Sequence, residues 1–348
     1  MRAKVLLAAV CFAALGSGAA YAAPRANAYP GALTPQGVPN LEGTWSNTTM
    51  TRWERPAEYG ERLALTAAEV AKMEGAAAQA EALASKPTDP NATVETLPND
   101  CSGGRSWCNY NAQWTDPGSK VMRVGGQPRT SLVTVPANGR IPYLPGKAPR
   151  QAPAVAEGPR GPGGEGNFDN PEDRSLAERC LVSQNFRNGA LLTPTLYNNN
   201  IQIVQSKDAV AILVEMSHDV RLVRLNAKHA SPAEKPWFGD SIGRYEGDTL
   251  VVETTNFNPH SLGVASEKLK LTERFTRVAK DRILYRFTVE DPETYSQPWG
   301  GEYEFSLSNG QIYEYACHEG NRGLESLLAG ARFAEREAKQ APAQASTR

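Results

Sequence analysis

Arg244-Tyr245-Glu246-Gly247-Asp248-Thr249-Leu250-Val251-Val252 is the stretch that decides the fold. A Gly-Asp pair between two runs rich in β-branched and aromatic residues marks a tight hairpin. The same alternation continues on both sides. Upstream, 201–205, 209–216 and 220–225 read as strands, the first two separated by Ser206-Lys207-Asp208. Downstream, 268–278 and 283–290 flank Lys280-Asp281, and 302–307 and 312–316 flank Asn309-Gly310. Eight or more strands follow one another with short turns and no helix between them. That excludes a parallel βαβ architecture for this half and predicts an antiparallel meander. Such a meander hides its edges best by closing into a barrel.

The rest of the chain is less regular. Residues 23–115 read as an N-terminal extension with one helix over 66–86, where Thr66 and Glu69 form a capping box and Pro87 ends the run. The segment 87–118 is irregular and contains Cys101 and Cys108. A strand is expected over 129–135, turning through 137–140 into 141–143. The barrel domain, 116–340, includes a Pro/Gly-rich loop at 145–172, a short helix over 173–181 and a terminal helix over 324–339; 341–348 is a polar tail.

Composition bounds the partners. The 348 residues hold 37 Lys+Arg against 38 Asp+Glu, and this near-neutral balance does not suit an electrostatic nucleic-acid binder. Hydrophobic residues at 40% permit a sizeable core. At the N-terminus, Arg2 and Lys4 precede an apolar run over 5–15, and Ala20-Tyr21-Ala22 supplies small residues for cleavage. Residues 1–22 therefore read as a secretory signal, and the protein as periplasmic or secreted, without membrane insertion. Removing Cys11 leaves four cysteines, an even number in an oxidising compartment. Pairing Cys101 with Cys108 and Cys180 with Cys317 is the preferred of three connectivities. A zinc site is the rival, though no Cys-x-x-Cys unit supports it.

Several runs carry a resemblance: Tyr197-Asn198-Asn199-Asn200, Glu215-Met216-Ser217-His218-Asp219, Gly239-Asp240-Ser241-Ile242-Gly243-Arg244 continuing through the central hairpin, Thr254-Thr255-Asn256-Phe257, and Tyr313-Glu314-Tyr315-Ala316-Cys317-His318-Glu319-Gly320-Asn321. Over 115–335 the chain resembles a large family of exported, mainly uncharacterised bacterial proteins. The likeness implies a shared fold and no particular reaction. The meander also resembles the calycins, the lipocalin and fatty-acid-binding barrels. That implies a mainly β, calycin-like barrel with a ligand site at its mouth, and fold alone does not imply function.

The candidate chemistry gathers around few residues. His218 and His318, with Glu215, Asp219 and Glu319, form the candidate catalytic set, because an imidazole fixed beside a carboxylate suits acid–base chemistry. Tyr197, Asn199, Arg221, Trp237, His260 and Arg274 are candidate ligand contacts. Arg274 alternates with Phe275, so one of the two points inward. His229 reads as solvated, and Asp240 pairs with Arg244. No His-x-His or His-Glu-x-x-His spacing supports a metal site built from His218, His260 and His318. The expected partner is a small apolar or aromatic molecule, handled without a cofactor by a lyase, isomerase or hydrolase. The alternative is a non-catalytic ligand-binding or envelope scaffold protein.

Overall fold

The computed structural model describes residues 33–84, 91, 116, 118–149, 168–182, 190–216 and 219–340. Residues 1–22, read above as a secretory signal, the tail at 341–348, Cys101, Cys108, His218 and most of the loop at 145–172 lie outside them. The strands are β1 (Gly43–Ser46), β2 (Arg123–Val124), β3 (Gln127–Pro128), β4 (Val133–Val135), β5 (Asn200–Gln205), β6 (Ala209–Val214), β7 (Asp219–Leu225), β8 (Asp240–Glu246), β9 (Thr249–Thr255), β10 (Lys270–Ala279), β11 (Arg282–Glu290) and β12 (Trp299–Leu307). The helices are α1 (Ala67–Ala84) and α2 (Arg322–Gln340).

Nine strands close a barrel in the order β1-β5-β6-β7-β8-β9-β10-β11-β12, with β12 returning to β1 through Trp45↔Leu307. The mainly β barrel expected from the sequence is present. An odd number of strands cannot alternate direction all the way round a closed barrel, so one neighbouring pair must be parallel. That pair is β7–β8, joined through Val223↔Ser241, Arg224↔Ile242 and Leu225↔Gly243. The purely antiparallel meander is corrected at this seam. Elsewhere the alternation holds, and the central hairpin turns at Gly247 with φ 62°, a conformation glycine adopts without strain.

Three local expectations change. Residues 312–316 form no strand, because β1 takes the edge of β12 and the Glu215 carboxylate draws the Tyr313 N–H to the barrel end. Of 129–135 only Val133–Val135 is strand, and it pairs with β12 while Tyr143 bridges to Tyr295. This pairing runs over Gly300 and Gly301; a Cβ on Gly301 would lie 2.1 Å from the Leu132 carbonyl oxygen, so the close approach requires glycine. Over 173–181 there is no α-helix, only a 3-10 turn at Pro171–Asp173, consistent with the marginal stability of so short a helix. The capping box of α1 forms as read, with Thr66 N–H on Glu69 at 2.7 Å and Glu69 N–H on Thr66 Oγ1 at 3.3 Å.

The pleat puts alternate residues inside the barrel. Trp45, Phe275, Tyr285, Trp299, Tyr303 and Phe305 are fully buried there. The Tyr285 ring lies 5.1 Å from those of Tyr303 and Phe305 and 5.0 Å from that of Phe275. Packed rings of this kind contribute both buried area and edge or stacking attraction. At the end where β5 finishes, residues 39–41 close the barrel. Leu41 N–H donates to Gln205 Oε1 at 2.6 Å, Arg277 donates to the Asn40 carbonyl at 2.9 Å, and the Arg277 guanidinium lies 5.3 Å from the Trp45 ring centre. At the opposite end, where β5 begins, Trp53 stacks on Phe287 at 5.3 Å.

A disulfide joins Cys180 to Cys317, so for these two the zinc alternative gives way to a covalent bond. Such a bond fits an exported protein. No helix among the described residues is long and apolar enough to cross a membrane.

Candidate functional site in and above the barrel

The barrel interior holds a buried polar network. Arg221 on β7 donates to Glu273 on β10 with both terminal nitrogens, Nη2 to Oε1 at 3.0 Å and Nη1 to Oε2. Tyr285 on β11 donates its hydroxyl to the same Glu273 Oε1 at 2.9 Å. All three side chains are buried. Burial pulls the Arg221 guanidinium down, but the Glu273 charge and hydrogen bonds outweigh it and hold the group above its ordinary value. Burial, reinforced by Glu273, pushes the Tyr285 hydroxyl well up, so it stays a neutral donor.

The network continues to a piece of irregular chain. Ala190, Leu191 and Leu192 are at most 2% exposed and belong to the core. Tyr303 donates its hydroxyl to the Leu192 carbonyl, and Asn47 Nδ2 donates to the same oxygen at 2.8 Å. Leu192 N–H points to the Tyr285 hydroxyl at 3.4 Å. Two inward tyrosines and the first residue after β1 thus converge on the backbone of one residue, pairing the N–H and C=O of Leu192. A buried peptide group needs such partners, since leaving it unpaired costs free energy.

The sequence-predicted residues are distributed around this centre. Glu215 is buried and binds backbone, accepting from Asn200 N–H at 3.1 Å, Asn200 Nδ2 at 2.9 Å and Tyr313 N–H at 3.3 Å. Asp219 opens β7, and the pairing register puts its side chain on the inner face beside Val214. His318 and Glu319 are exposed in the turn that follows Cys317. Asn199 is also structural: its side chain takes Thr195 N–H at 2.7 Å and donates to the carbonyls of Thr195 and Asp116 at 3.0 and 3.1 Å. Tyr197 and Trp237 are partly exposed at the same end, and His260 is exposed in a turn capped by Asn258. Of the ligand candidates, Arg221 enters the interior. Arg274 faces outward, donating to Glu246 at 2.8 Å, and Phe275 takes the inward position.

A second polar cluster sits on the outside of the β7–β8 seam. His229 Nδ1 lies 2.8 Å from Asp240 Oδ2, which also accepts Ala230 N–H at 2.8 Å, while Arg224 donates to Oδ1 at 2.7 Å. Asp240 thus pairs with Arg224 and His229; Arg244, its expected partner, binds Glu246 and Glu253. Burial works against the Asp240 charge, but the Ala230 N–H, His229 and Arg224 prevail and lower its pKa. His229 is therefore anchored, contrary to the solvated reading. Among the described residues, no three His, Cys, Asp or Glu side chains are grouped to hold a metal ion.

No family model, curated protein or solved structure matches this chain. The site geometry therefore has to carry the functional reading. The Leu192 contacts were not legible in the sequence, where Leu191-Leu192 sits in a connecting segment. The one available signal was two consecutive leucines outside any strand or helix.

Proposed function

We propose that the protein is an exported, non-catalytic binding barrel whose interior takes a small apolar molecule carrying one polar group. The observation that carries this reading is the convergence of Tyr285, Tyr303 and Asn47 on the backbone N–H and C=O of one residue, Leu192, among buried aromatic and aliphatic side chains. Apolar surroundings with a few converging polar groups suit a ligand with an apolar body and one oriented polar group. The signal sequence, the disulfide and the resemblance of 115–335 to exported bacterial proteins support export. The acid–base alternative has less support: Glu215 is engaged with backbone, and His318 and Glu319 lie in an exposed turn.

Titration with the apolar fluorophore N-phenyl-1-naphthylamine tests the reading. One saturable site per chain is expected; unsaturable partition or no binding contradicts it.

A scaffold role is the second reading, favoured by one feature. Val204, Val220 and Leu222 are each more than half exposed on the outer face of β5–β7, with Ala211 and Leu213 between them. A contiguous apolar face of this kind marks a contact surface for another molecule.

A further inference from the structure

We infer that the Ala190–Leu192 segment is a built-in occupant of the binding site, and that the ligand replacing it is a short aliphatic peptide. This rests on the binding-barrel reading and goes further, naming the ligand class and the element that competes with it.

The chemistry of the site is that of the backbone of one leucine, whose N–H and C=O belong to two consecutive peptide bonds. The Leu192 carbonyl oxygen has two donors, Tyr303 Oη and Asn47 Nδ2, and the Leu192 N–H faces the Tyr285 hydroxyl. The side chains around it, Leu191 and Leu192, are almost wholly buried. An ester or a simple hydrocarbon leaves part of this set unpaired, and an unpaired buried group costs more than a hydrogen bond gains. The acceptor is also set from behind. Tyr285 donates its hydroxyl hydrogen to Glu273, charged opposite Arg221, at 2.9 Å, which leaves the Tyr285 oxygen to accept from an N–H.

The segment stands outside the strand ladder. Residues 190–193 belong to no strand, and the Leu192 N–H and C=O are paired by three side chains, while Ala190, Leu191 and Leu192 are held by apolar packing in the core. Withdrawing the segment breaks no pairing of the nine-strand ladder, whose registers all lie elsewhere. A peptide entering at the end beside Asn47 meets the same three groups. Because the segment and the ligand exclude each other, apparent affinity is reduced by the fraction of molecules in which the segment is seated.

Hydrogen exchange of the disulfide-intact wild-type chain, with and without saturating N-acetyl-leucyl-leucinamide, tests the proposal. Exchange at residues 190–193 is expected to accelerate about tenfold or more with the dipeptide, while β10–β12 stay protected. In a Leu191→Ala/Leu192→Ala variant, the dipeptide is expected to bind at least about fivefold tighter than to wild type, and Tyr303→Phe added to that variant to weaken it again. Unchanged exchange at 190–193 together with continued binding of N-phenyl-1-naphthylamine overturns the peptide proposal and leaves the binding-barrel reading standing. Unchanged exchange with no fluorophore binding overturns both. The wild-type measurement decides even where the double variant does not fold.

Discussion

Arg221 and Glu273 face each other across the interior of the barrel as a bidentate ion pair with both side chains closed to water. They are 52 residues apart in sequence and lie on strands that are not neighbours in the sheet. Their pairing therefore ties one side of the barrel to the other. Desolvating two charges is expensive, and only good geometry with further hydrogen bonds offsets it. Tyr285 supplies one of those bonds to Glu273.

Removing one member leaves the other charged and unpaired in the interior. Glu273→Gln and Arg221→Met are each expected to lower unfolding free energy by about 3–5 kcal/mol in urea titrations. The double variant Arg221→Met/Glu273→Leu is expected to recover most of that loss, because no orphaned charge remains. Additive losses in the double variant would show that the two residues do not act as a pair.

Asp240 sets a pH dependence. Its folded pKa lies below the ordinary carboxylate value despite burial, because Ala230 N–H, His229 and Arg224 favour the charged form. A depressed folded pKa contributes stability that is present above the unfolded value, near about 4, and is lost as pH falls through the folded value. The stability difference between wild type and Asp240→Asn is thus expected to be largest near neutral pH and to shrink as pH falls below about 4. A difference that stays constant to pH 2 contradicts this.

The Cys180–Cys317 bond closes a long stretch of chain, with a sequence separation of 137. It also fixes the turn that leads into α2, whose first turn is capped by Asn321 accepting Leu324 N–H at 3.2 Å. Cys317→Ser is expected to cost roughly 2–5 kcal/mol of unfolding free energy. Proteolysis should then cut first around 168–182 and α2, while the barrel strands persist longer. Initial cleavage within β9–β12 would place the bond's effect in the barrel itself.

The barrel was legible because its strands alternate and turn locally, as at Gly247-Asp248. Its parallel seam was not, since strand direction around a closed sheet depends on a count of strands that includes β1, 154 residues before β5 begins by the difference 200 − 46. The candidate site was read less well for the same reason. Asn199 and Glu215 stood out as chemistry-bearing types, yet each is spent on nearby backbone. Arg221 was identified, but its partner Glu273 was not, because nothing in spacing links positions on β7 and β10. His229 was passed over because its carboxylate, Asp240, comes 11 residues later, across the loop between β7 and β8.

The most direct test of the binding-barrel account compares N-phenyl-1-naphthylamine titrations of wild type and of Val220→Asp/Leu222→Asp. This double substitution puts charge on the outer apolar face and leaves the interior untouched. The account predicts one saturable site in both proteins, with affinities within about twofold of each other. Loss of binding in the variant would place the fluorophore on the outer face and contradict the account.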